Sequence, residues 1–121
     1  MARIVHFEIT ADDPERAIRF YRQALGWKIE PMGDASVGYW LVTTGADGEM
    51  GINGAIMGRA TPNQAVINTV GVANLEEAIA AVRSAGGSVG DDIDTIANVG
   101  RFTYATDTEG NLFGLLEPAQ I

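Results

Sequence analysis

His6 is the only histidine of this 121-residue chain, and Glu8 follows two residues later. In an extended segment, residues two apart share one face. An imidazole that titrates near neutrality therefore lies beside a carboxylate. Such a pair could abstract a proton beside a carbonyl or supply two ligands to a metal ion. The bland alternative is a hydrogen-bonded pair that serves packing, because a carboxylate on an interior strand face is costly unless it is partnered. Other chemistries are excluded. There is no cysteine, hence no thiolate nucleophile, thiolate metal site or disulfide. No Gly-Lys-Ser/Thr loop follows a strand to cradle phosphate.

The elements that must position this pair are legible as patterns. Ile4 to Thr10 alternates, with Val5, Phe7 and Ile9 on one face and His6, Glu8 and Thr10 on the other, which predicts a strand. Asp13 predicts a helix cap, with Pro14 at the first helical position. Ala17, Ile18, Phe20, Tyr21, Ala24 and Leu25 form the expected buried stripe, and Gly26 stops the helix. Trp27 to Met32, Gly38 to Thr44 and a Gly-interrupted Met50 to Met57 read as strands. Gly58 to Asn63, with Pro62, is the internal break. The order then restarts: a strand from Ala65 to Val72, then a helix capped by Asn74 with Leu75, Ala78, Ile79, Val82 and Ala85 inward and Gly86-Gly87 at its end. Strands at Ser88 to Ile93, Phe102 to Thr106 and Leu112 to Glu117 follow, the last two joined by the turn Asp107-Thr108-Glu109-Gly110.

The restart is a repeat. Asp13-Pro14-Glu15-Arg16-Ala17-Ile18 aligns with Asn74-Leu75-Glu76-Glu77-Ala78-Ile79, and an offset of 61 (67 minus 6) sets His6 opposite Ile67. Treating Leu25 as an insertion lowers the offset to 60 and makes Gly54 the mate of Gly114. One unit of ~60 residues buries too little surface to stand alone, so two are expected to share one domain over residues 1–121: repeat 1 about 3–57, linker 58–64, repeat 2 about 65–118. The expected fold class is α+β. Two tandem βαβββ modules form a curled mixed sheet with a concave trough, and the helices lie on its outer face.

Eight basic against sixteen acidic residues give a net charge of -8. With no Lys/Arg cluster, nucleic acid and anionic membrane are excluded as partners. No apolar run reaches the ~20 residues of a membrane span. A strand pattern begins within three residues of the start, so no signal peptide is expected. With the absence of cysteine, this suits a cytoplasmic protein.

Val5-His6-Phe7-Glu8-Ile9, Asp12-Asp13-Pro14-Glu15-Arg16-Ala17, Phe20-Tyr21, Leu25-Gly26-Trp27 and Asp107-Thr108-Glu109-Gly110-Asn111-Leu112-Phe113-Gly114, in this layout, resemble the vicinal oxygen chelate superfamily. That group contains glyoxalases, bleomycin-resistance proteins and extradiol dioxygenases. The resemblance covers nearly the whole chain and is strongest to small single-domain proteins related to lactoylglutathione lyase, which Tyr39-Trp40-Leu41-Val42-Thr43-Thr44-Gly45 and Gly51-Ile52-Asn53-Gly54 also resemble. It implies a divalent metal held by a histidine or glutamine in the first strand of each half and a glutamate in the last strand of each. His6 matches one such position. Ile67, Gly54 and Gly114 stand at the others and carry no donor.

The metal expectation is therefore none, with His6 the only matching ligand. A divalent ion would need a third ligand beyond His6 and Glu8, or a chelating substrate. No other cofactor is expected. The expected ligand-binding trough comprises His6, Glu8, Ile52, Gly54, Ile67, Thr69, Leu112 and Gly114, with Ile56 and Leu116 adding to its apolar lining. Trp27, Trp40, Tyr39 and Tyr104 are either stacking walls or core or dimer contacts, and which side of residues 38–44 meets the trough stays open. The functional expectation is metal-independent binding of a small organic molecule, as in bleomycin-resistance members. The alternative is an enzyme, a lyase, isomerase or hydrolase, acting on a small oxygenated metabolite with catalytic His6 and Glu8, with or without a loosely held divalent metal; a third reading is a structural or regulatory module whose trough is filled. Relatives commonly pair, and open sheet edges need cover, so a homodimer is expected.

Overall fold

The computed structural model describes residues 2–60 and 64–119. The break expected at Pro62 lies outside the described residues. The chain divides into two compact units, one formed by His6–Ile67 and the other by residues 1–5 with residues 68–121.

In the His6–Ile67 unit, strand β1 (Arg3–Ala11, from His6 onward) leads into helix α1 (Pro14–Leu25), then β2 (Lys28–Pro31), β3 (Tyr39–Thr43) and β4 (Gly54–Gly58). The strand order is β2-β3-β4-β1, with β1 and β4 parallel and the other pairs antiparallel. Asp13 accepts a hydrogen bond from the Arg16 amide, Pro14 opens the helix, and left-handed Gly26 closes it. The core gathers Ile18, Ile29, Val42 and Ile56, with Phe7, Ile9, Ala17, Tyr21, Trp27 and Trp40 packed against it. The expected α1 stripe is too wide. Phe20 is 59% exposed and Leu25 56%, and Ala24 is exposed as well. Only the Ala17, Ile18 and Tyr21 side of the helix meets the core. Ile56, expected in the trough, belongs to this core instead. Val5 is exposed rather than packed inward.

In the other unit, β5 (Val66–Gly71, from Asn68 onward) precedes α2 (Leu75–Ser84), β6 (Ser88–Val89), β7 (Asp94–Ile96), β8 (Gly100–Thr106) and β9 (Leu112–Pro118). The order β5-β9-β8-β6 repeats the logic of β2-β3-β4-β1, with β5 and β9 parallel and the rest antiparallel. The short β7 pairs with the start of β8 and has no counterpart in the sequence reading. Asn74 caps α2 by accepting from the Glu77 amide. Leu75, Ile79, Ala105 and Leu115 form this unit's core. Beside it, the Arg101 guanidinium bonds both carboxylate oxygens of Glu76 and both of Glu117, at 2.6 to 3.0 Å. Glu117 thus lies on the α2 side, opposite Gly114, as alternation requires.

Candidate functional site

Alternation along β1 puts Phe7 and Ile9 into the core and leaves His6, Glu8 and Thr10 on the other face. In β3, Trp40 registers with Ile56 and joins the core, so Tyr39 takes the His6 side. That settles the open question about residues 38–44. The Tyr39 hydroxyl donates to Glu8 Oε2 at 2.7 Å, and His6 Nε2 lies 3.0 Å from the same phenolic oxygen. Glu8 is only 5% exposed, and the phenol is one of the donors that burial of its carboxylate requires.

The proton on the His6 contact follows from the network. Tyr39 gives its own proton to Glu8, so its oxygen can only accept, and the hydrogen must come from Nε2. The chain of donors runs His6 Nε2–H to Tyr39 Oη–H to Glu8. His6 Nδ1 is then the lone-pair nitrogen, and it has no hydrogen-bond partner among the described residues. Burial holds the imidazole pKa below its usual value, and the nearby Glu8 charge opposes this with a smaller effect. The ring is therefore neutral at neutral pH. Tyr39, expected from the sequence as a stacking wall or as a core or dimer contact, is the residue that organises the pair. Its signal was present in the β-rich run, but nothing in that run told its face from Trp40's.

At the far end of β1, the Thr10 hydroxyl donates to the Gln64 carbonyl at 2.7 Å. Arg59 donates through Nε to Thr10 Oγ1, through Nη2 to the Thr10 carbonyl and through Nη1 to Asp12.

The remaining trough candidates distribute differently. Gly54 registers opposite Phe7, and a Cβ there would meet the Phe7 carbonyl and lie 2.5 Å from its ring. Gly54 thus faces the α1 core, not the His6 face, and its missing side chain makes room for Phe7. The residue opposite Glu8 is Ala55, fully buried. In the other unit Thr69 registers with Gly114. The mate of Gly114 is therefore Ala55, at an offset of 59 (114 minus 55), and the pairing of Gly54 with Gly114 is one residue out of register. Ile52 precedes β4, in a loop where its carbonyl accepts from Thr44 Oγ1 and Asn53 accepts from the Thr44 amide. The strand begins at Gly54, later than the expected Met50. Ile67 is buried.

On the face of this unit's strands turned from α2, Gly114 sits between Thr69 and Tyr104. The Phe102 ring fills the space that a side chain at Gly114 would take, 2.6 Å from the position of a Cβ. Phe102 meets Tyr104 edge-on at 4.7 Å, so Tyr104 packs against its neighbour. Leu112, half-buried, pairs with Thr106. Thr69 is 1% exposed, and its hydroxyl has no hydrogen-bond partner among the described residues. Trp27 stacks on Tyr21 at 4.9 Å and is core.

Residues 3–115 match the family model of the glyoxalase/bleomycin resistance protein/dioxygenase superfamily, and the chain belongs to that superfamily. Solved structures of the same fold include a hypothetical protein from Bacillus halodurans C-125, at 16% identity and a TM-score of 0.70, covering 99% of this chain and 96% of that one. A variant methylmalonyl-CoA epimerase of Streptomyces coelicolor in complex with 2-nitronate-propionyl-CoA is similar at 19% identity and a TM-score of 0.70, covering 98% and 96%. A methylmalonyl-CoA epimerase in complex with methylmalonyl-CoA and NH4+ is similar at 18% identity and a TM-score of 0.71, covering 100% and 97%. No curated protein gives a significant match.

The residues present do not fit the divalent metal that the resemblance implies. Such an ion needs several oxygen or nitrogen donors. Among the described residues no group of three or more His, Cys, Asp or Glu side chains comes together. With Nε2 bonded to Tyr39, the imidazole could offer one donor, Nδ1. At the closing-strand positions, Ala55 offers a methyl group and Gly114 no side chain.

Proposed function

We propose that this protein binds a small organic molecule, without the metal of its family, on the sheet face that carries His6, Glu8 and Tyr39. The observation behind this reading is that Ala55, directly opposite Glu8, and Gly114, which registers with Thr69, have no donor to complete a ligand set. Isomerisation through an enediolate needs a Lewis acid to stabilise the developing charge, and a hydrogen-bonded dyad does not replace it. The test is metal analysis of the purified protein beside thermal shifts with Zn, Ni, Mn and Fe. We expect substoichiometric metal and no shift that depends on His6. Stoichiometric metal that is lost in His6→Ala overturns the reading.

A second reading is an enzyme of the lyase or isomerase type acting on a small oxygenated metabolite. The donor chain from His6 through Tyr39 to Glu8 favours it, since it leaves a neutral imidazole nitrogen as proton acceptor. Turnover of a panel of 2-oxoaldehyde adducts, abolished in His6→Ala, would establish it. We further propose a homodimer, testable by light scattering at micromolar concentration, and a cytoplasmic location. Among the described residues no helix is long and apolar enough to cross a membrane.

A further inference from the structure

We infer that the His6 face selects its ligand by a hydrogen-bond donor on the ligand, a hydroxyl or an N–H, which bonds to His6 Nδ1. This rests on the proposed small-molecule binding and names the chemistry that binding would use.

The argument is an inventory of donors and acceptors. The Tyr39 proton is held by Glu8 at 2.7 Å, and the Nε2 proton of His6 by Tyr39 at 3.0 Å. The next polar group along this face of β1, the Thr10 hydroxyl, donates to the Gln64 carbonyl. Arg59, the cation at that end of the strand, has Nε, Nη1 and Nη2 engaged by Thr10 and Asp12. Ala55 and Met57, which register with Glu8 and Thr10 on β4, bring no donor. A carbonyl, carboxylate or phosphate oxygen arriving at His6 thus finds the donors of His6, Tyr39 and Thr10 already used. The net charge of -8 also opposes an anion. His6 Nδ1 is different. Its lone pair has no partner among the described residues, and the ring is locked in the tautomer that presents it. A site built this way rewards a donor and leaves an acceptor-only ligand unsatisfied, which is the stronger form of discrimination.

The chain has a single histidine, so the imidazole nitrogens in a 15N NMR spectrum of the full chain belong to His6 alone. In the free protein we expect a neutral ring protonated at Nε2. Titration with phenol should move the Nδ1 resonance. Anisole, the same ring with its hydroxyl capped by a methyl group, should bind about tenfold more weakly and leave Nδ1 in place. In Tyr39→Phe the tautomer lock is gone, so an Nδ1–H form should appear and the preference for phenol over anisole should shrink.

Equal binding of the two probes with an unmoved Nδ1 overturns the donor inference while small-molecule binding stands. Failure of millimolar phenol to move Nδ1 also overturns it. A His6-dependent, stoichiometric metal instead overturns the metal-free reading, so the two failures are told apart. The wild-type titration decides the inference even where Tyr39→Phe folds poorly.

Discussion

The Tyr39 hydroxyl reaches across from β3 to donate to Glu8 on β1 at 2.7 Å, a contact between residues 31 apart in sequence. It satisfies a buried carboxylate and, through the same oxygen, orients His6. Tyr39→Phe keeps the ring and removes only this bridge. We expect a loss of about 1–3 kcal/mol, the range for leaving a buried polar group short of a partner, read as a lower urea midpoint with an unchanged slope.

Gly54 and Gly58 stand at opposite ends of β4 and should respond in opposite ways to alanine. A Cβ at 54 would run into the Phe7 carbonyl and ring, and backbone cannot step aside cheaply, whereas nothing lies within 4 Å of a Cβ at 58. Gly54→Ala should cost about 1–3 kcal/mol or more. Gly58→Ala should stay within about 0.5 kcal/mol of the parent. Chemical denaturation of the pair checks this, and equal effects would contradict the packing described.

These two glycines also mark how far the sequence could be read. The caps at Asp13 and Asn74 and the order of elements were legible because each is a local signal: a side-chain acceptor, a proline, a stripe. The site was half legible. Alternation along β1 placed His6 and Glu8 together correctly. The register of β4 was not legible, because a loop containing Gly48 and Gly51 carries no mark of where the strand resumes. A one-residue slip put Gly54 where Ala55 belongs and moved it to the other face. The face of β3 was hidden for a different reason. Tyr39 and Trp40 are adjacent aromatics, and either could pack inward until the partner strand chooses.

Thr69 buries a hydroxyl that finds no acceptor among the described residues. Valine has the same shape without the polar group. Thr69→Val should therefore raise stability by about 1 kcal/mol, seen as a higher melting temperature. A loss would mean that the hydroxyl is bonded in solution.

Acid should weaken the fold through Arg101. Its hydrogen bonds hold the Glu76 carboxyl down to about 2 from 4.5 and lower Glu117 as well. A carboxyl with a depressed folded pKa contributes stability that is complete above its unfolded value and is lost as protons bind the folded form. The contribution from Glu76 should thus be full above about pH 4.5 and fade towards about pH 2. Glu76 is exposed, so the effect is moderated by solvent and salt. Stability curves of the parent and Glu76→Gln should converge as the pH falls through that window. Parallel curves would show that the ion pair contributes nothing.

The division of the chain at Val5 and at Ile67 has a practical consequence. Residues on both sides of the His6–Ile67 segment belong to the other unit, so in connectivity one half is an insertion in its host. Cutting the chain after Ile67 therefore does not remove one whole unit: it leaves Val5 and the residues before it joined to the half they do not belong to and parted from the rest of their own.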